Sequence, residues 1–154
     1  MRRTVLFILL FLASFLASCN GDRSTSQRMF VQSIANGGTL IMVGEGREYR
    51  VSLCGVSVAP TQNEEAKKLL QSLLTDENEE DKALVAVPVR ASGQSIVAEV
   101  YVPTANRDEE KSLNAELLAA GLARATGEAC PNREAYQAIE QDAKERRVGL
   151  WDDR

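Results

Sequence analysis

The side chains that could do chemistry in this chain are carboxylates, arginines and cysteines, because its 154 residues include no histidine. Histidine is the commonest general base and the commonest zinc ligand. Its absence excludes Ser–His and Cys–His nucleophile arrangements and removes the commonest ligand of a zinc site. Hydrolytic or metal chemistry would therefore depend on acidic groups and guanidinium groups, and the three cysteines need a separate explanation.

The first cysteine, Cys19, ends a segment that is typical of a secretory signal. The chain starts with two arginines at positions 2–3 and continues with an apolar run at 5–16. This run is shorter than the roughly 20 residues of a membrane-spanning helix, so it predicts a cleavable signal. The Leu-Ala-Ser-Cys ending at 16–19 resembles the lipobox of bacterial lipoproteins, which implies acylation of Cys19. The alternative is an ordinary signal that is cut elsewhere, with Cys19 incidental.

These features predict a signal peptide at 1–18, a polar tether at 19–27 and one domain at 28–154. We expect an exported protein that is held to the lipid bilayer of the cell envelope through Cys19. Loss of Arg2 and Arg3 with the signal would change the net charge from −4 to −6. An acidic chain gains nothing from attraction to phosphates, so nucleic acid is not an expected partner.

The other two cysteines, Cys54 and Cys130, form an even pair in an exported chain. Exported proteins fold in an oxidising compartment, where such pairs are commonly bridged. We therefore predict a disulfide between them. The alternative is two separate buried thiols, because sequence alone does not show that the two Cα atoms come within about 7 Å.

The elements that must position any site are short strands and three helices. Alternating apolar residues and Asn/Gly-rich turns predict strands at 29–34, 39–43, 49–56, 84–90 and 96–102. Helical periodicity predicts helices at 64–74, 113–120 and 133–147, with Ser112 and Asn132 as N-caps and Gly121 and Gly149 as stops. The order predicts an α+β fold, a five-stranded Greek-key barrel of the OB type with three helices.

Five segments in this order resemble the staphylococcal-nuclease-like, or thermonuclease-like, family. They match its D-G-D-T turn, its R-x-R-L-x-G-I-D-A-P-E run, its A-E-V-Y strand, and its S-L-N…G-L-A and R-x-G-L-W signatures. The segments lie at 36–40, 50–61, 98–101, 112–123 and 147–151. The resemblance implies an OB fold, a disulfide between Cys54 and Cys130 and descent from a metal-dependent phosphodiesterase.

The family's reaction requires carboxylates that hold Ca²⁺, a glutamate base and two arginines that stabilise the transition state. This chain departs from that pattern at each position. The metal-binding aspartates correspond to Gly38 and Ser57, with Val58 as an extra residue in that loop. The glutamate corresponds to Thr61. The two arginines correspond to Ser52 and to Gln94, or to Ser95 if an extra residue lies in the second turn.

These departures predict a degenerate nuclease fold that acts as a binding or interaction module, with no cofactor and with a protein or glycan as partner. The alternative is a Ca²⁺-dependent endonuclease for extracellular DNA or RNA with an altered site. In that case Arg50, which shares a strand face with Ser52, would replace an arginine. Glu64 or Glu65 would replace the base. The non-functional interpretation is that Arg50 is a solvated or ion-paired residue of the barrel and that the two glutamates form the acidic first turn of a helix.

Two charged segments need no ligand to explain them. The acidic run at 76–81 lacks the spacing and the glycine of a calcium loop, so it is interpreted as a solvated connection. Lys144, Arg146 and Arg147 lie at the end of the last predicted helix, where cations complement the helix dipole. Three charges are also too few for a nucleic-acid interface.

Overall fold

The computed structural model describes residues 25–75, 83–104 and 110–152. The predicted signal, Cys19, most of the tether and the acidic run at 76–81 lie outside these residues. Within the three described ranges, no helix is both long and apolar enough to cross a membrane.

Five strands close into a barrel, which confirms the predicted OB fold. The strands are β1 (Gln27–Asn36), β2 (Thr39–Gly44), β3 (Arg47–Leu53), β5 (Leu84–Ser92) and β6 (Ser95–Val102), with the short β4 (Val56–Ser57) between β3 and β5. The sheet order is β3-β2-β1-β5-β6, and a parallel pairing of β3 with β6 closes the ring. All other pairings between these five strands are antiparallel.

Alternation along the strands places the apolar side chains inside the barrel. In β2, Leu40 and Met42 are fully buried, and in β6 every second residue from Ile96 to Val102 is buried. Burying side chains of this size contributes about 1.5–3 kcal/mol each. The interior is therefore filled by side chains, and ligands have access only to its outer surfaces.

Three helices cover the barrel. Helix α1 (Asn63–Leu74) buries Ala66 and Leu70, and α2 (Leu113–Ala119) buries four residues. Two short strands, β7 (Lys111–Ser112) and β8 (Arg124–Ala125), flank α2, and β7 pairs with β6. The hydroxyl of Ser112 accepts a hydrogen bond from the Ala115 N–H, which confirms the predicted N-cap of α2.

The predicted third strand, 49–56, is wrong at its end. Strand β3 stops at Leu53, and Gly55 turns the chain with a φ of 73°. This left-handed conformation suits glycine and cannot continue a strand. Strand β4 therefore does not continue β3 and instead pairs with β8.

Helix α3 (Arg133–Arg146) begins at the predicted residue, but the predicted capping bond of Asn132 and the predicted stop at Gly149 are wrong. Asn132 makes no capping bond, because its side-chain amide donates to Glu99 Oε2 at 2.8 Å and to the Tyr101 hydroxyl at 2.9 Å. The helix ends at Arg146, and the following residue, Arg147, is left-handed with a φ of 55°, two residues before Gly149.

Gly149 instead packs against Gly121, the residue that follows α2. The Leu150 N–H donates to the Gly121 carbonyl at 2.8 Å. A Cβ built on Gly121 would lie 2.1 Å from the Val148 oxygen, and one on Gly149 would lie 2.3 Å from the Gly121 oxygen. The two backbones therefore approach each other more closely than any other residue type would permit.

Cys54 and Cys130 form a disulfide across 76 residues with their Cα atoms 6.1 Å apart, which confirms the predicted bond. It ties the end of β3 to the loop before α3. A crosslink that closes a loop of this length stabilises a fold by about 4 kcal/mol on the chain-entropy account.

Glu99 lies next to this loop and is 2% exposed. Its carboxylate accepts three hydrogen bonds from neutral donors: the Tyr101 hydroxyl at 2.9 Å, the Asn132 N–H at 2.9 Å and the Asn132 side chain at 2.8 Å. Burial, followed by the bond to Glu99, raises the pKa of Tyr101 well above its usual range, and burial likewise raises the pKa of Tyr136.

Candidate functional site

A cleft of about 670 Å³ opens where the β1–β2 turn meets the end of β3, strand β4 and the start of α1. We call it the cleft throughout. Gly38, Ser52 and Ser57 all line it, although they come from three different elements. These are the positions to which the sequence resemblance assigns two metal-binding aspartates and one arginine. The fold therefore brings the three substituted positions together.

The β1–β2 turn is held by two asparagines rather than by charged groups. Asn36 Oδ1 accepts from the Gly38 N–H at 2.9 Å, and Asn63 Oδ1 accepts from the Gly37 N–H at 2.8 Å. A Cβ on Gly37 would lie 2.6 Å from the Cβ of Ala66, so glycine allows α1 to pack directly on the turn. Both amide oxygens that face this end of the cleft are thus committed to backbone N–H groups.

The remaining carried-over positions lie at the periphery. Thr61 is exposed in a short 3₁₀ helix, Pro60–Gln62, and is not part of the cleft lining. Gln94 is exposed in the β5–β6 turn, where its carbonyl accepts the Arg50 N–H at 2.8 Å. Ser95, the other candidate, pairs with Arg50 in the neighbouring strand.

The proposed substitutes do not enter the cleft either. Arg50 is exposed on β3, outside the cleft lining, and makes no ion pair within the described part of the chain. Glu64 accepts a hydrogen bond from the Asn63 side chain at 3.0 Å, and Glu65 pairs with Lys68 at 2.9 Å. Both glutamates are exposed in the first turn of α1, where negative charge is favoured by the helix dipole.

Sequence reasoning missed the two charged residues that do line the cleft, Arg90 and Glu128. The Arg90 guanidinium donates to Glu128 Oε1 at 2.7 Å, while Glu128 Oε2 accepts the Gly55 N–H at 3.3 Å. The register explains the placement of Arg90, because Ser52 pairs with Val97 and Val97 pairs with Arg90. The guanidinium therefore starts two strands away from the position where the family has one, about 10 Å across the sheet.

A metal site is not formed at Glu128. Its carboxylate lies within 4.8 Å of both Cys54 and Cys130 sulfurs, but those sulfurs are bonded to each other. Disulfide sulfur is not the thiolate that binds metal ions, so one carboxylate oxygen is left. Across residues 25–75, 83–104 and 110–152 no other group of three acidic, cysteine or histidine side chains converges in this way. The residues present do not fit a Ca²⁺ ion, which takes six to eight oxygen ligands.

The family model for staphylococcal nuclease homologues matches residues 50–153, from the middle of β3 almost to the end of the chain. The chain belongs to the staphylococcal nuclease homologue family. No curated protein matches the sequence. The family assignment confirms the resemblance drawn from the sequence motifs, and the barrel agrees with it. In this member of the staphylococcal nuclease family, the described cleft carries one guanidinium and one carboxylate, paired to each other.

Proposed function

We propose that this staphylococcal nuclease homologue is a catalytically inactive, membrane-anchored binding module. One observation carries the proposal: Gly38, Ser52 and Ser57 line the cleft where the family pattern has charged groups. Glu128 is the one acidic side chain among the described residues of the cleft lining, and it is engaged by Arg90. A cation has too few ligands here and a phosphate too few donors.

The expected loss of rate follows from the missing groups. Removing one transition-state donor lowers a rate by about 10²–10³, and removing a general base lowers it by about 10²–10⁴. Such losses are not additive. Even so, loss of both arginine positions, the base and the metal ligands should bring phosphodiester cleavage close to the uncatalysed level.

A nuclease assay tests this directly. The full-length protein, purified in mild detergent, is incubated with single-stranded DNA and Ca²⁺, and in parallel with a chelator. We expect no cleavage above the buffer control. The informative partner is the restored variant Gly38→Asp, Ser52→Arg, Ser57→Asp, Thr61→Glu, in which any Ca²⁺-dependent cleavage would identify the substitutions as the cause of inactivity. Chelator-sensitive cleavage by the wild type would overturn the proposal, whether or not Arg50→Ala abolishes it.

The second candidate is a Ca²⁺-dependent endonuclease with an altered site, and the pair of Arg90 and Glu128 in the cleft favours it. These residues are a guanidinium and a carboxylate, the two kinds of group that the family's chemistry uses. If this candidate is correct, wild-type cleavage falls at least about 100-fold in Arg90→Ala. The exposed Arg47→Ala, on the same strand as Ser52, serves as the matched control.

Membrane attachment is proposed through acylation of Cys19, as the lipobox-like ending suggests. Cells grown with an azide-bearing fatty acid should label the wild-type protein, and Cys19→Ser should lose both the label and membrane association. The double variant Cys54→Ser, Cys130→Ser, which keeps Cys19 and leaves no other thiol, controls for nonspecific labelling of cysteine. A Cys19→Ser protein that remains labelled and sediments with membranes would contradict the anchor.

A protein is the partner class that the surface favours. The cleft lining includes no aromatic side chain among the described residues, and Phe30, 49% exposed, is the one large exposed hydrophobic residue within them. Nucleic-acid bases depend on aromatic stacking when they are bound as single strands. The cleft therefore offers little to a polynucleotide.

A further inference from the structure

A second and larger depression lies on the other side of Arg90. It has a volume of about 1180 Å³ and runs between residues 88–91 of β5 and the segment 129–135, which contains the first turn of α3. Thr25, which precedes β1, and Gln27, the first residue of β1, also line it. We call it the β5 groove. Arg90 lines both the β5 groove and the cleft, so its side chain stands on the ridge between them.

One wall of the β5 groove is an unpaired strand edge. Strand β1 pairs with β5 only over Leu84–Ala86, and β6 occupies the opposite side of β5. From Pro88 to Ala91, therefore, one edge of β5 has no strand partner among the described residues. Such an edge can accept an extended peptide as an additional strand. Pro88 removes one N–H donor from this edge but leaves its carbonyl available.

The charges along the groove favour an acidic ligand. Arg90 and Arg133 line it, against one acidic residue, Glu134, although the chain as a whole is negatively charged. Arg90 already binds a carboxylate, that of Glu128, at 2.7 Å. The Arg90 side chain is 64% exposed, and an exposed ion pair contributes little to stability. Another carboxylate can therefore replace Glu128 at little cost.

We infer that the β5 groove binds an extended acidic peptide segment of a protein partner. The peptide backbone pairs with the open edge of β5, and a glutamate or aspartate side chain takes the place of Glu128 on Arg90. Glu128 then no longer pairs with Arg90, and its hydrogen bond from the Gly55 N–H weakens. The inference rests on the proposed binding function and specifies the chemistry of the partner.

The experiment uses two fluorescent peptides that differ in a single group. The probe is acetyl-Thr-Val-Thr-Glu-Val-Thr amide, and its matched control has glutamine in place of glutamate. Anisotropy titrations against the full-length protein in mild detergent give the affinities. Oligogalacturonate and a single-stranded DNA 12-mer are titrated in parallel as carboxylated glycan and nucleic acid. A ¹H–¹⁵N spectrum follows the Gly55 amide, which contacts Glu128 Oε2 at 3.3 Å.

We expect the glutamate peptide to bind about two- to fivefold more tightly than the glutamine peptide, which is the factor that an exposed ion pair provides. Arg90→Gln should remove this preference, and Arg90→Lys should retain part of it. Glu128→Gln should strengthen binding about two- to fivefold, because the internal competitor is gone. Arg47→Gln, an exposed residue of β3 outside the groove, should bind as the wild type does. The Gly55 amide should shift on titration in the wild type.

Three results would overturn the inference: equal affinity for both peptides, no binding of either by wild type and Glu128→Gln at about millimolar concentrations, or tighter binding of the glycan or DNA. Thermal unfolding of each variant shows that it is folded. The nuclease assay above is independent of these titrations, so failure of peptide recognition and failure of the inactive-module proposal remain distinguishable.

Discussion

Two glutamates make hydrogen bonds at the loop that contains Cys130, and the fold uses them in opposite ways. Glu99 is 2% exposed, and its carboxylate accepts hydrogen bonds from neutral donors of Tyr101 and Asn132. Asn132 lies two residues after Cys130 in the sequence. Glu128 lies two residues before Cys130 and lines the cleft. It forms an ion pair with Arg90, whose side chain is 64% exposed. The buried carboxylate fixes the loop in place. The partly exposed one is the group that a ligand can replace.

The comparison separates stability from binding. Removing the donors of a buried carboxylate, or the carboxylate from its donors, lowers the free energy of unfolding far more than breaking a solvated ion pair does. We therefore expect changes around Glu99 to alter the free energy of unfolding and changes around Glu128 to alter recognition. The disulfide, which anchors the loop through Cys130, should affect both.

The largest effect is expected from removing the disulfide. The double variant Cys54→Ala, Cys130→Ala should lower the free energy of unfolding by about 4 kcal/mol, because the denatured chain regains the freedom of a 76-residue loop. Urea unfolding followed by circular dichroism measures the change. A loss below about 1 kcal/mol would show that contacts around Glu99 alone hold the loop.

Replacing Glu99 comes next. Glu99→Ala leaves the Tyr101 hydroxyl and the Asn132 N–H without their acceptor and should cost about 2–3 kcal/mol. The exposed Glu134→Ala in the first turn of α3 is the control and should change the free energy of unfolding by less than about 0.5 kcal/mol. Equal effects in both variants would refute the stabilising role of the buried Glu99 carboxylate.

Alkaline pH should weaken the buried region specifically. The pKa values of Tyr101 and Tyr136 are raised in the folded protein. The folded state therefore binds the two phenol protons more tightly than the unfolded state does. The free energy of unfolding should therefore be unaffected by these tyrosines below pH about 10, their unfolded value, and fall as the pH rises above it. Urea titrations from pH 8 to 11.5 measure the slope. The double variant Tyr101→Phe, Tyr136→Phe should lose this part of the dependence, and an unchanged slope would contradict it.

The smallest effect on stability is expected at the cleft. Arg90→Ala removes the ion pair with Glu128 and should lower the free energy of unfolding by no more than about 1 kcal/mol. The same urea titration measures it, beside Arg50→Ala, an exposed arginine without an ion pair in the described ranges. A loss above about 2 kcal/mol would mean that Glu128 stabilises the fold as Glu99 does.

Most of the fold follows from local patterns in the sequence. Alternation in β2 and β6 and helical periodicity in α1 are local signals, and they predict elements that the structure confirms. The break of β3 at Gly55 and the left-handed Arg147 depend on backbone conformations that neighbouring elements impose. Asn132 is a residue type that commonly caps helices, but its side chain is hydrogen-bonded to Glu99 and Tyr101 instead.

The candidate site was less accessible to sequence reasoning for a related reason. Gly38, Ser52 and Ser57 lie near one another in the motifs, so the resemblance alone suggests that they share a surface. Arg90 and Glu128 are 38 residues apart and meet only because β5 lies two strands from β3 and the disulfide holds the loop beside Gly55. No local pattern encodes that meeting.

The contact between Gly121 and Gly149 has a consequence for how the chain tolerates substitution. Both positions lie far from the cleft in the sequence, and Gly149 is exposed. Since either Cβ would overlap backbone atoms, a saturation mutagenesis screen that reports on folding should find both glycines intolerant even to alanine. Sensitivity at the carboxyl-terminal end would then reflect how two chain segments touch, with no bearing on what the protein recognises.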